Sequence, residues 1–148
     1  MAAGTVSGLG TPEAAPSGRP ESARSVRRVG VFGGTFDPPH IGHLVPAVRV
    51  AEELSLDVVL MVVANRPWQK VGSRPISPPA DRLDMVRAAV DGVDRLRASD
   101  LEIRRGGETY TVDTVSELRR TGPDDELVLI LGSDAAAGLD TWERTDEL

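Results

Sequence analysis

His40 and His43 are the only histidines of this chain. They stand three residues apart, a spacing that puts two side chains on one face of a helix. Gly42 lies between them, and Gly33-Gly34-Thr35-Phe36-Asp37-Pro38-Pro39 leads into them. A short apolar run, a glycine turn and a helix start, in that order, make an anion site, because the first N–H groups of a helix have no intrahelical partner and carry the positive end of its dipole. Imidazoles beside such a site can donate hydrogen bonds to oxygens that gain charge in a transition state. The chemistry this spacing suits is reaction at a phosphoanhydride of a nucleotide. Two plainer readings stand beside it: surface-polar histidines near a turn, and a two-histidine metal site, for which the sequence offers no apparent third ligand.

A few other side chains could join them. Lys70 is the only lysine among 17 basic residues. It is read either as a phosphate contact, since an ammonium is a compact point charge, or as a solvated loop residue. Trp68 and Trp142 are two of only five aromatic side chains, and each is either core or a flat surface for a planar ring. Asp134, in Gly132-Ser133-Asp134, could accept hydrogen bonds from ribose hydroxyls, although a Gly-x-Asp alone is a weak signal. Thr111 reads as a helix N-cap. Asp37, between Phe36 and Pro38, is read as fixing its loop, and Asp113 as favouring a helix N-terminus.

The elements that would carry these residues alternate. Val26 to Phe32 reads as a strand buried on both faces, with Gly33 and Gly34 as the turn after it. Leu44, Ala47, Val48, Ala51 and Leu54 recur at helical spacing, giving a helix over about residues 41–55 with Pro46 in its first turn. Residues 57–63 form the next strand, and the three elements make a right-handed βαβ unit. Residues 65–79 are a long loop with four prolines, the kind that tends to be functional. Pro79 opens a second helix, buried through Leu83, Val86 and Val90 and ended by Gly92. A strand over 96–103 follows, with a polar interruption at Ser99-Asp100, then a charged glycine-bearing turn over 104–108. A helix capped by Thr111 buries Val112, Val115 and Leu118 and stops at Gly122-Pro123. Glu126 to Leu131 is the last clear strand, and a short helical stretch at Ala135–Ala137 follows Gly132-Ser133-Asp134. The pattern predicts an α/β fold, a doubly wound parallel sheet of Rossmann-like type. In such sheets ligands bind beyond the carboxyl ends of the strands, where residues 33–43, 65–70 and 132–134 all fall.

Composition narrows the class. The chain has 148 residues, 40% of them hydrophobic, and no cysteine. One core is affordable, and disulfides and thiolate metal sites are excluded. The net charge is −6; residues 1–28 hold four Arg and two Glu, so the remainder carries −8. That disfavours a nucleic-acid partner. No apolar run is long enough for a membrane span, and there is no secretory h-region, so a cytoplasmic protein is expected, with a homo-oligomer left open. Residues 1–25 read as a disordered tail and 26–148 as the folded domain.

The histidine stretch resembles that of the HxGH nucleotidyltransferases, specifically the bacterial nicotinate-nucleotide adenylyltransferases. The resemblance extends through Pro67-Trp68-Gln69-Lys70, Arg82-Leu83-Asp84-Met85, the run from Asp100 to Thr114, Gly132-Ser133-Asp134 and Trp142. It covers about residues 28 to 148 and looks most like actinobacterial members. It implies adenylyl transfer from ATP to nicotinate mononucleotide, giving deamido-NAD and pyrophosphate, with Mg²⁺ bridging the ATP phosphates and no dedicated protein ligand for it. By resemblance, His40, His43 and Lys70 would be catalytic. Gly33, Gly34, Thr35, Phe36, His40, His43, Gly132 and Asp134 would bind ATP. Lys70, Tyr110, Thr111 and Trp142 would bind the mononucleotide, Trp142 stacking on the nicotinate. Family members continue beyond the position of Leu148 with an Ile-Ser-Ser-Thr-x-x-Arg motif that this sequence does not contain. The expectation is therefore a C-terminally truncated form of such an enzyme. The alternatives are an inactive nucleotide-binding module and an adenylyltransferase for another phosphorylated substrate. Phosphopantetheine adenylyltransferases, with Thr at the position of His40, fit less well.

Overall fold

Four parallel strands form one sheet in the order β3-β2-β1-β4 in a computed structural model, which describes residues 26–67 and 75–148. The elements are β1 (Arg28–Gly34), α1 (Ile41–Glu53), β2 (Val58–Val63), α2 (Pro79–Val90), β3 (Leu96–Ser99), α3 (Leu101–Arg105), α4 (Thr111–Thr121), β4 (Glu126–Leu129) and α5 (Ser133–Ala137). Two 3-10 turns, Leu139–Thr141 and Thr145–Glu147, follow. The proposed N-terminal tail, Trp68 and Lys70 lie outside the described residues.

The strand order follows from side-chain period and chain handedness. β2 is Val-Val-Leu-Met-Val-Val, buried along nearly its whole length, as a strand covered on both faces must be. Val59, Met61 and Val63 join Phe32, Leu96 and the helical residues Ala47, Ala51, Leu83, Val86 and Val90 in one core. The alternate residues Val29, Val31, Val58 and Val62 are buried on the opposite face. From β1 to β3 the chain moves one way across the sheet, then returns past β1 to β4. Right-handed crossovers therefore put α1 and α2 on one face and α3 and α4 on the other. The sheet is doubly wound, and its order reverses between β1 and β4, where a crevice opens at the carboxyl ends.

Several boundaries differ from those expected. β1 runs on through Gly33 and Gly34, which pair with Val62 and Val63; the turn starts at Thr35. Glycine is still needed at Gly34, because a Cβ there would lie 2.8 Å from the Phe36 ring. Pro46 is the sixth residue of α1, past the first turn. It lies on the exposed face, where solvent can take the hydrogen bond its missing N–H leaves unmade. The strand expected over 96–103 stops at Ser99, and Leu101–Arg105 is helical; the polar pair Ser99-Asp100 ends the strand rather than interrupting it. Thr111 is the first residue of α4 and not its cap. Tyr110 occupies the cap position without a side-chain cap bond. Leu118 is only half-buried, whereas Thr114 is buried. β4 is shorter than expected, ending at Leu129.

Candidate active site

The loop after β1 is built to hold two imidazoles. His40 is the N-cap of α1, and its Nδ1 accepts the Gly42 N–H at 3.2 Å. The Nδ1 of His43 in turn accepts the His40 N–H at 3.2 Å. This is the reciprocal arrangement of a capping box with histidines in place of the usual hydroxyl and carboxylate. Both Nδ1 atoms act as acceptors, so each neutral ring carries its proton on Nε2. The two rings are 3.9 Å apart, centroid to centroid. Beneath them the Phe36 ring meets His43 edge-on at 5.1 Å, and Phe32 meets Phe36 edge-on at 5.9 Å. Phe36 is 2% exposed and has φ of 50°, a left-handed conformation that a buried aromatic adopts only when its surroundings enforce it. Asp37 fixes the loop, as its position suggested: its Oδ2 accepts the Ser77 N–H at 2.9 Å.

A cavity of about 550 Å³ opens above the strand ends. One wall is Gly33, Gly34, Thr35, Phe36, His40 and His43; Gly132 and Asp134, at the start of α5, form the next. Tyr110, Thr111 and Trp142 line the cavity as well. Each described residue that the resemblance assigns to catalysis or ligand binding thus lines one cavity, although the residues come from three separated stretches; Asp113 does not line it. Trp142 is half-buried after the first 3-10 turn, and its backbone carbonyl accepts the Thr145 hydroxyl at 2.9 Å. Its buried Nε1 has no protein partner. The Tyr110 hydroxyl donates to Glu108 Oε2 at 2.6 Å, and this bond holds the phenol above its ordinary titration range. Asp113, in the first turn of α4, pairs with Arg144.

Three polar residues of this region were not assigned roles from sequence. Glu102 is 4% exposed and lines the same cavity. Its Oε1 accepts the Thr114 hydroxyl at 2.5 Å, and Thr114 Oγ1 accepts from Arg105 at 3.0 Å. Burial pushes the Glu102 carboxyl up, against the opposing pull of Thr114 and Arg105. Asn65 donates its side-chain amide to the Gly107 carbonyl at 2.8 Å, and its backbone N–H to Thr109 Oγ1 at 3.1 Å. Arg82 is 1% exposed and, among the described residues, donates to backbone carbonyls. For Arg82 a signal existed: it stands at i, i+4 and i+8 with Val86 and Val90, on the face of α2 that should be apolar.

A family model described as cytidylyltransferase-like matches residues 31–148. The chain belongs to the cytidylyltransferase-like family. Curated relatives narrow the likeness within it. A "Probable nicotinate-nucleotide adenylyltransferase" of Shouchella clausii is 43% identical over 123 residues, covering 83% of this chain and 64% of the relative. One of Corynebacterium glutamicum, of the same name, is 44% identical over 124 residues, covering 82% of this chain and 56% of the relative. The chain therefore spans less than two thirds of these relatives. Among solved structures, the Plasmodium falciparum nicotinic acid mononucleotide adenylyltransferase complexed with NaAD matches with a TM-score of 0.69. It is 16% identical, and the match covers 82% of this chain and 59% of that one; it shows the shared fold. In this cytidylyltransferase-like domain the histidine pair, Tyr110 and Trp142 line one cavity at the carboxyl ends of the strands.

Proposed function

We propose that this chain supplies the catalytic domain of an enzyme that transfers the adenylyl group of ATP to nicotinate mononucleotide. The single observation that carries the reading is the shared cavity, lined by a helix-capping histidine pair and by Tyr110, Thr111 and Trp142. The 5′-phosphate oxygen of the mononucleotide attacks the α-phosphorus of ATP. A new P–O bond forms, the bond from the α-phosphorus to the bridging oxygen breaks, and pyrophosphate leaves with its electron pair. No covalent intermediate on the protein is required, so catalysis is positioning plus charge stabilisation. His40 and His43 donate from Nε2 to phosphate oxygens, next to the N-terminus of α1. Asp134 accepts from ribose hydroxyls. The first N–H groups of α4, at Thr111 and Val112, receive the nicotinate carboxylate, and Trp142 stacks on its ring. Lys70 adds a cation to the phosphates.

Magnesium fits this site as part of the nucleotide complex. Among the described residues no three His, Asp or Glu side chains converge as a metal-binding group; Mg²⁺ would enter with the ATP phosphates. When bound, it neutralises charge on the phosphates.

The test is pyrophosphate release by the full chain with ATP and each of nicotinate mononucleotide, nicotinamide mononucleotide and phosphopantetheine. Preferred turnover of nicotinate mononucleotide is the expected result. Preference for another acceptor, or no turnover alongside no measurable ATP binding, would sink the reading.

A further inference from the structure

Arg82 does not line the cavity, yet its guanidinium reaches every loop that does so from β1 and β2. Its Nη1 donates to the carbonyl of Thr35 at 2.8 Å, in the turn that leads to the histidines. The same nitrogen donates to Ala64 at 2.7 Å, and Nη2 to Asn65 at 3.1 Å, both just past the end of β2. Its Nε donates to Ser77 at 2.8 Å, in the segment entering α2. Ser77 is also the residue whose N–H is held by Asp37.

The chain of contacts does not end there. Asn65, accepting from Arg82, bonds Gly107 and Thr109 through its own donors. The Thr109 N–H bonds the Arg66 carbonyl at 3.2 Å. Thr109 immediately precedes Tyr110 and Thr111, which line the same cavity. One planar, five-donor cation thus fixes the separation between the histidine loop and, through Asn65, the Tyr110–Thr111 loop. A guanidinium is suited to this, because its donors lie in a rigid fork. Burial pushes Arg82 down from its ordinary range, with the Asp37 carboxylate opposing.

We infer that Arg82 is a positioning residue that sets the distance between the two half-sites, so that its alteration lowers turnover without equally weakening either ligand's binding. This rests on the adenylyl-transfer reading for its kinetic consequence, but not for its structural one. Each half-site is built locally, so ATP and the mononucleotide keep their separate contacts when the link loosens. The reacting atoms do not keep theirs, and a misplacement of about 1 Å can cost on the order of 10²-fold in rate.

The experiment compares the full chain with Arg82→Lys and Asn65→Ala. Hydrogen–deuterium exchange without ligand is the first readout. In Arg82→Lys, exchange should rise together in the histidine loop around residues 35–40 and in residues 106–111, while β1 and β2 stay protected. Asn65→Ala, which removes no buried charge, should raise exchange in residues 106–111 and leave the histidine loop unchanged. The second readout is kcat against the separate dissociation constants for ATP and nicotinate mononucleotide. In Arg82→Lys, kcat should fall about 30-fold or more while each constant changes less than about threefold. Loosening confined to the start of α2, or spread evenly over the sheet, overturns the inference, as does a fall in kcat matched by the fall in affinity. A wild-type chain that neither turns over nor binds ATP defeats the adenylyl-transfer reading alone; the exchange pattern still decides the role of Arg82.

Discussion

The two histidines do two jobs at once: each Nδ1 is spent on a backbone N–H, which leaves the proton on Nε2. His43→Ala removes both the donor and half of the capping box. Turnover should fall roughly 30- to 1000-fold, about 2–4 kcal/mol of transition-state stabilisation, and the unfolding free energy by about 1 kcal/mol. Pyrophosphate release and a urea titration check the two effects separately. Glu102 gives a pH prediction. Burial raises its carboxyl above the ordinary value of 4.5, so the folded protein keeps a proton that the unfolded chain has lost. Stability from this group is therefore fully present below 4.5 and declines as pH rises from there through the raised folded value. Glu102→Gln keeps an acceptor for Thr114 but cannot titrate. The difference in thermal midpoint between wild type and Glu102→Gln should shift in favour of the variant as pH rises through that window. A flat difference would mean the carboxyl is not perturbed by folding.

At the scale of elements, β1 and α1 are joined by a turn that cannot be relaxed piecemeal. Gly34 lies in the strand, the Phe36 ring lies over it, and His43 rests on that ring. Gly34→Ala would set a methyl 2.8 Å from the Phe36 ring, closer than contact allows. The ring must move, at a cost of about 1–3 kcal/mol for overpacking. His43 moves with it, so the rate falls further than the stability loss explains. Urea unfolding beside kcat tests this: a variant as stable as wild type and fully active would show that the ring has room. Gly106 and Gly107, with φ of 72° and 74°, turn the chain between α3 and α4. That turn aims Thr109 and Tyr110 back toward the strand ends.

For the molecule as a whole, order in the sheet sets a gradient of protection. β1 and β2 are central and buried on both faces. β4 pairs only with β1 among the described residues, over four residues, and is half-exposed. Native-state amide exchange should be slowest in β1 and β2 and fastest, among the strands, in β4. Equal protection across all four strands would contradict this. Arg28, which holds Glu126 through Nε and Nη2 at 3.0 Å each, pins the start of β4 to β1.

The sequence by itself determined the alternation of strands and helices, because continuous apolar runs and 3.6-residue periodicity are local signals. It also singled out His40, His43, Tyr110, Thr111, Asp134 and Trp142 as candidates from residue type and motif, and these residues line one cavity. It did not determine where β1 ends, since glycine is compatible with both strand and turn, and pairing with Val62 and Val63 decided the matter. Nor did it show that Ser99-Asp100 ends a strand, or that Tyr110 rather than Thr111 stands at the cap. Those outcomes depend on which backbone groups find partners across the sheet. Only the tertiary structure revealed the hydrogen bonds of Arg82, Asn65 and Glu102. Each has at least one partner 12 to 47 residues away, and a hydrogen bond of that span leaves no periodic trace in the chain. The histidine loop could be read from eleven consecutive residues, whereas the cavity it shares with Tyr110 and Trp142 exists only once the strands are side by side.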